Sequence, residues 1–218
     1  MNAKTLPEIA QAFRALRSRR DRIDGYRPLT VAVTRELAAG VPLPEKRVAE
    51  LAELLDVPEG TLSEVARAAE WEEDRLVGIG GLSLKETPHR LSFEGRTLYT
   101  WCAWDSLFLV PIIGEPAIIS STSPATGKPV NISIDSDGIG HKDPASAVVS
   151  FVVPRPDSAP VTAAEVREMF CHFINFFGSR DEAEAWIPQQ KDPAILEVED
   201  GFRLGQLVYG DLVPTRGA

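Results

Sequence analysis

The first third of the chain repeats its apolar positions with a helical period. Leu6, Ile9, Ala10, Phe13 and Leu16 recur at spacings of three and four, which predicts a helix over residues 5–20 with one apolar stripe. Thr5 and Glu8 stand at capping-box spacing, and Pro7 falls in the first turn. A second helix is predicted over 28–40, ended by Gly40, and a third over 44–57, with Val48, Leu51 and Leu55 facing inward. A fourth spans 58–71 and carries a capping box at Thr61 and Glu64. Helix, short glycine-containing turn and helix make a helix-turn-helix signature. The segment "RLVGIGGLSLKETPHRLSFEG" (75–95) then reads as a β-hairpin. Together these elements suggest a winged-helix-like module.

Past the apolar run "TLYTWCAWDSLFLVPIIG" (97–114) the pattern changes to strands and turns. "AIISST", "VNISID" and "ASAVVSFVVP" are β-rich and are separated by "SPATGKP" and "SDGIGHKDP", which predicts an antiparallel meander. Thr162 and Glu165 cap a short helix. "CHFINFF" (171–177) fits either strand or helix, and strand is favoured. Ser179 starts another helix over 179–190, and the tail from Leu212 is expected to fray. The fold class expected is α+β. A winged-helix-like module over residues 1–80 would be followed by a core of small antiparallel β-sheets with flanking helices over 81–218.

Charge removes the obvious reading of a helix-turn-helix. The would-be recognition helix sets Arg67 against Glu64 and Glu70, and "EEDR" follows it. A DNA reader needs cations to displace counterions from phosphates. The whole chain of 218 residues carries a formal net charge of -9, which disfavours nucleic acid and anionic membrane as partners. The N-terminus has no apolar signal segment, and the longest apolar run is about "LFLVPII", too short to span a membrane. A cytoplasmic location is expected, where the two cysteines, Cys102 and Cys171, stay thiols.

Those cysteines are the candidate chemistry. In "WCAWD", Cys102 and Asp105 share a face if the segment is helical, amid Trp101, Trp104, Leu107 and Phe108. Burial raises the pKa of a thiol and of a carboxyl alike, so such a pair could hold a proton near neutral pH. The same residues also fit a buried cysteine acting as a small hydrophobe beside an aspartate that caps a helix. Two cysteines are too few for a tetrahedral zinc site unless His89, His141 or His172 joins them, and none has finger-type spacing. If the two thiols met, they would favour a soft metal that accepts two ligands.

"LYTWCAWDSLFLVPIIG", "ISSTSPATGKPV" and "FCHFINFF" followed by "AEAW", in this order, resemble the bacterial organomercurial lyase (alkylmercury lyase) family, as does the upstream segment "RLVGIGGLSLKETPHRLSFEGRTLY". The resemblance covers roughly residues 25–210. It departs where some members carry a cysteine directly after the second catalytic one, since His172 stands there, and where "SSTSPATG" offers no cysteine. It implies cleavage of the carbon–mercury bond of alkyl- and arylmercury compounds by protonolysis. Cys102 and Cys171 would be the sulfur ligands and Asp105 the group that takes a thiol proton and delivers it to carbon. Trp101, Trp104, Phe170 and Phe173 would form a pocket for the organic group, or plain core. On this reading no cofactor would be required, and Hg(II) would be the bound product, released to low-molecular-weight thiols or to a mercuric reductase. The alternative is a two-cysteine mercury-binding or sensor protein on a winged-helix scaffold, without lyase activity.

Overall fold

The protein's structure, a computed structural model, describes residues 4–188 and 193–213. Helix α1 (Leu6–Asp21) follows a formed capping box in which Thr5 N–H donates to Glu8 Oε2 at 2.7 Å, and it buries Ile9, Ala10 and Phe13. Helix α2 (Tyr26–Leu37) ends just before Gly40, whose φ of +84° turns the chain. Helix α3 (Glu45–Leu54) buries Val48, Leu51 and Ala52. Leu55 was expected inward but lies past the helix end and is exposed, because the chain turns away through Asp56 at φ +51°. Helix α4 (Glu59–Arg67) does not use the expected Thr61–Glu64 box. It begins earlier, after Pro58, whose ring presets a helical φ, and Thr61 instead donates its hydroxyl to Asp24 C=O at 2.7 Å.

The strands that follow are β1 (Leu43–Pro44), β2 (Glu70–Glu72), β3 (Arg75–Ile79), β4 (Leu82–Ser83), β5 (His89–Phe93) and β6 (Arg96–Thr100). Beyond helix α5 (Ala103–Ile113) come β7 (Ala117–Thr122), β8 (Pro129–Ile134) and β9 (Ile139–Asp143). They form one antiparallel sheet in the order β1-β3-β4-β6-β5-β7-β8-β9, with β2 also paired to β3. The single hairpin expected over 75–95 is thus two hairpins in one sheet. The boundary expected near residue 80 falls in the β3–β4 loop, where Ile79 pairs with Leu82. Strand β9 occupies a segment that reads as a turn. It lies at the sheet edge, mostly out of the core, so it carries no alternating apolar signal.

The expected meander stops there. Strand β10 (Val148–Val152), fully buried, joins a second antiparallel sheet between β11 (Phe176–Phe177) and β12 (Pro193–Glu197). "CHFINFF" splits into a 3-10 turn at Cys171–Phe173 and the short β11. Helices α6 (Ala163–Met169) and α7 (Arg180–Trp186) start at the predicted caps, Thr162 and Ser179. Helix α7 ends at Trp186, with Ile187 extended, short of the predicted Gln190; residues 189–192 and the tail from Pro214 lie outside the described residues. Helix α8 (Val198–Tyr209) was not expected. The class, mixed helices with antiparallel sheets, agrees with the sequence reading. Among the described residues no helix is long and apolar enough to cross a membrane.

Helix α5 is the centre of the molecule. It is apolar on all sides and buried from Ala103 to Ile112, as a helix wrapped by other elements must be. Trp104 packs on Phe13, Phe108, Phe151 and Tyr209, with ring centroids 4.5–5.6 Å away, and its Nε1–H donates to Gly201 C=O at 3.0 Å. Helix α8 comes this close because it presents glycines. A Cβ on Gly201 would stand 2.7 Å from Val149 Cγ1 and 3.0 Å from Leu107 Cδ1, and one on Gly205 would stand 2.8 Å from Phe108 Cβ. Gly201→Ala is therefore expected to destabilise by about 1–3 kcal/mol through overpacking, despite alanine's better helix propensity. Gly60→Ala in α4, where a Cβ would have nothing within 4 Å, is expected to stabilise by up to about 1 kcal/mol. Urea unfolding of the two variants checks both signs.

Candidate active site

Cys102 ends the extended segment after β6 and is the N-cap of α5, with φ -147° and ψ 172°. Asp105 is the third helical residue. Its Oδ2 accepts the Cys102 N–H at 2.9 Å, and the Cys102 side chain faces the Asp105 N–H in return. This is a capping box with sulfur in place of a hydroxyl. The Cys102 carbonyl is held by Thr100 Oγ1 at 2.9 Å. Both alternatives at this motif are thus realised in part: Asp105 does cap the helix, and it also stands beside a thiol.

Cys171 arrives from the other end of the chain. The 3-10 turn that carries it is pinned to β10: Ser150 Oγ donates to Phe173 C=O at 2.6 Å, and Ser150 N–H donates to Asn175 C=O at 3.0 Å. Asn175 Nδ2 closes the turn on His172 C=O at 3.0 Å. The Ala103 N–H then donates to Ile174 C=O at 3.0 Å, which ties the segment of one cysteine to that of the other. As a result the Cys102 sulfur, the Cys171 sulfur and an Asp105 carboxylate oxygen all lie within 4.8 Å of one another. Two thiolate–metal bonds of about 2.3 Å in a line span about that distance, so one soft ion fits between the sulfurs. Among the described residues this is the one such group of potential ligands. His89 is far from a metal role: it is buried with Nδ1 2.9 Å from Ser121 Oγ.

All three groups are buried, with 1%, 5% and 8% of Cys102, Cys171 and Asp105 exposed. Loss of water raises the Asp105 carboxyl to about 7, against the pull of its hydrogen bonds to Cys102. Burial first, then the neighbouring Cys171 thiol and the Asp105 charge, push the Cys102 thiol up. The Cys102 thiol therefore rests neutral beside a carboxyl that exchanges its proton near neutrality.

A cavity of about 380 Å³ reaches Asp105 and Trp101. Of the four aromatic residues expected in a pocket, only Trp101 lines it. Trp104 belongs to the packed centre, Phe170 is buried core, and Phe173 is a half-buried residue packed against the core. The cavity walls come instead from Phe13 on α1, Tyr26 and Thr30 on α2, Phe108 on α5 and Tyr209 on α8. Sequence reasoning missed Tyr209 along with α8. The signal was present, since Val198, Gly201, Phe202, Gly205 and Val208 repeat at three and four.

A family model described as alkylmercury lyase matches residues 82–210. The alkylmercury lyase of Staphylococcus epidermidis is 35% identical over 197 residues, 88% of this chain and 86% of that protein. Those of Streptomyces lividans and Pseudomonas putida are 34% and 32% identical, over 82% and 86% of this chain and the same shares of theirs. The crystal structure of the mercury-bound form of MerB2 superposes with a TM-score of 0.71 at 21% identity, covering 94% of this chain and 99% of that one, and so has the same fold.

The raised carboxyl has a consequence for stability. The folded pKa, about 7, lies above the unfolded value near 3.8, so folding favours the protonated form. That contribution is whole below about pH 4 and is lost as pH rises through 7. Asp105→Asn keeps an acceptor for the Cys102 N–H but carries no charge to bury. Relative to the parent, it is expected to gain on the order of 1–4 kcal/mol between pH 4 and pH 8. Urea midpoints of both proteins across that range measure it; a difference independent of pH would contradict the buried, titrating carboxyl.

Proposed function

The chain belongs to the alkylmercury lyase family, and on that footing we propose that Cys102, Cys171 and Asp105 carry out its reaction. The protein is an organomercurial lyase, an enzyme that cleaves the carbon–mercury bond. The assignment of roles is supported by one observation above the others: two thiols and one carboxyl converge within 4.8 Å at the edge of a largely apolar cavity.

The substrate is R–Hg–X, with R alkyl or aryl. Cys102 captures mercury as X leaves, and its proton departs with X. The Cys171 thiol gives its proton to the Asp105 carboxylate and adds to mercury as the second sulfur. Two electron-rich sulfurs load charge onto the metal and weaken its bond to carbon. Asp105 then protonates carbon as that bond breaks, acting first as base and then as acid. The balance is R–Hg–X and two thiols giving R–H, HX and Hg(II) held by two thiolates. A carboxyl near 7 suits both halves of this exchange. No cofactor enters. Because both sulfurs are buried, Hg(II) leaves by exchange with a small thiol that enters the cavity, or with a mercuric reductase that presents one. A compartment that keeps thiols reduced, the cytoplasm, fits this chemistry.

The winged-helix-like N-terminal part serves, in this reading, as a wall of the substrate cavity rather than as a DNA reader. Helices α1 and α2 supply Phe13, Tyr26 and Thr30 to it, while Arg67 on α4 is paired with Glu64 at 2.7 Å.

Incubation of the pure protein with phenylmercury and excess small thiol is expected to release benzene. A protein that retains mercury and releases no hydrocarbon would instead be the two-cysteine binding protein. Asp105→Asn is expected to keep capture and lose about 10²-fold or more in turnover. Cys102→Ser is expected to lose capture too, since an alkoxyl oxygen is a poor ligand for mercury, and Cys171→Ser to fall between them. Hydrocarbon release and mercury retained after gel filtration report the two steps separately. Turnover of Asp105→Asn at the parent rate would move the proton donor elsewhere.

A further inference from the structure

The Asp105 carboxyl is held from two sides, and only one of them is a hydrogen bond. Oδ2 is fixed by the Cys102 N–H. The other side rests on the backbone of Gly81, in the loop of the β3–β4 hairpin. A Cβ built on Gly81 would stand 2.6 Å from Asp105 Cγ, 2.6 Å from its Oδ1 and 3.0 Å from its Cβ. The three nearest atoms all belong to this one side chain, and no carboxyl could stay in place at that distance. The hairpin is itself locked against the site. Gly80 and Gly81 have φ of +61° and +98°, the two positive values that a two-residue loop uses to match the twist of its strands. Gly81 C=O accepts the N–H of Trp101, the residue before Cys102, at 2.8 Å, and β4 pairs with β6 through Leu82–Thr100.

We propose that Gly81 is a positioning residue for the lyase reaction: its bare backbone holds the Asp105 carboxyl at the two sulfurs, so that proton delivery depends on the absence of a side chain at position 81. This rests on the lyase reading above and adds a residue that touches neither mercury nor sulfur. The hairpin loop thereby separates two requirements. The cysteines capture mercury whether or not the carboxyl is in register, but the hydrocarbon leaves only when it is.

The test is Gly81→Ala beside Gly95→Ala. Gly95 also has a positive φ, +76°, but a Cβ there would have nothing within 4 Å, so it carries the backbone strain of an L-residue without the collision. With phenylmercury and excess thiol, Gly81→Ala is expected to lose at least tenfold in kcat with KM and stoichiometric mercury capture unchanged, and Gly95→Ala to turn over at the parent rate. Added to Asp105→Asn, Gly81→Ala is expected to cost kcat little further, because it acts through the carboxyl already removed. Parent-like kcat in Gly81→Ala, equal losses in both alanine variants, or full additivity with Asp105→Asn would overturn the proposal. If Gly81→Ala does not fold, it is introduced instead into Asp105→Ala, which lacks Cγ and Oδ1: there it is expected to lower the urea midpoint no more than Gly95→Ala lowers that of the parent, and loss of folding relative to Asp105→Ala alone would overturn the proposal as well. Benzene release by the parent protein tests the lyase reading independently of all these outcomes.

Discussion

The Cys102 N–H opens a helix where water does not reach, so its acceptor has to come from the protein, and Asp105 Oδ2 supplies it at 2.9 Å. Much else in the molecule follows from that bond. It requires an acidic or amide side chain at the third position of α5. It buries that side chain beside a sulfur, and it makes the carboxyl expensive to ionise. A helix start in solvent would use the same pattern for stability alone. Here the surrounding apolar shell turns a capping residue into one whose proton is exchangeable at neutral pH.

The rest of the fold keeps water out and brings the second sulfur in. Helix α5 has no polar face because every side of it is covered: by the large sheet, by α1 through Phe13, and by α8 through its two glycines. Cys171 reaches the start of α5 because β10 leaves the first sheet. Ser150 then holds the turn after α6, and Ala103 bonds Ile174 directly. The cavity opens onto the carboxyl and Trp101, while both cysteines are almost wholly buried. In the proposed reaction, capture and protonation would share this one buried site, where charge developing on carbon would meet a fixed donor.

Much of this was legible in the sequence where the signal is local. Thr5, Thr162 and Ser179 announce helix starts because a hydroxyl and an acid three residues on satisfy the same N–H groups in any fold. The Cys-x-x-Asp spacing placed both groups on one helical turn, and the resemblance to the lyase family joined Cys171 to them. What stayed hidden was set by tertiary contact. Thr61 looks like a cap but gives its hydroxyl to Asp24. Strand β9 has no alternation because it lies at an edge of the sheet, mostly out of the core. The aromatic pocket reading failed for Trp104 and Phe170 because the helices packed on α5, not their neighbours in sequence, decide which rings face space. Gly81 carries no chemical signal at all; its part is visible only from the atoms an added carbon would meet.

The central claim is that Asp105 holds and releases a proton near neutrality within 4.8 Å of both sulfurs. The carbon-13 resonance of the aspartate carboxyls, titrated in the parent and in Asp105→Asn, isolates this one group by difference. The account predicts a single carboxyl with a midpoint near 7, absent from the variant. A midpoint at the ordinary aspartate value of about 4 would mean a solvated, permanently ionised carboxylate, and would contradict it.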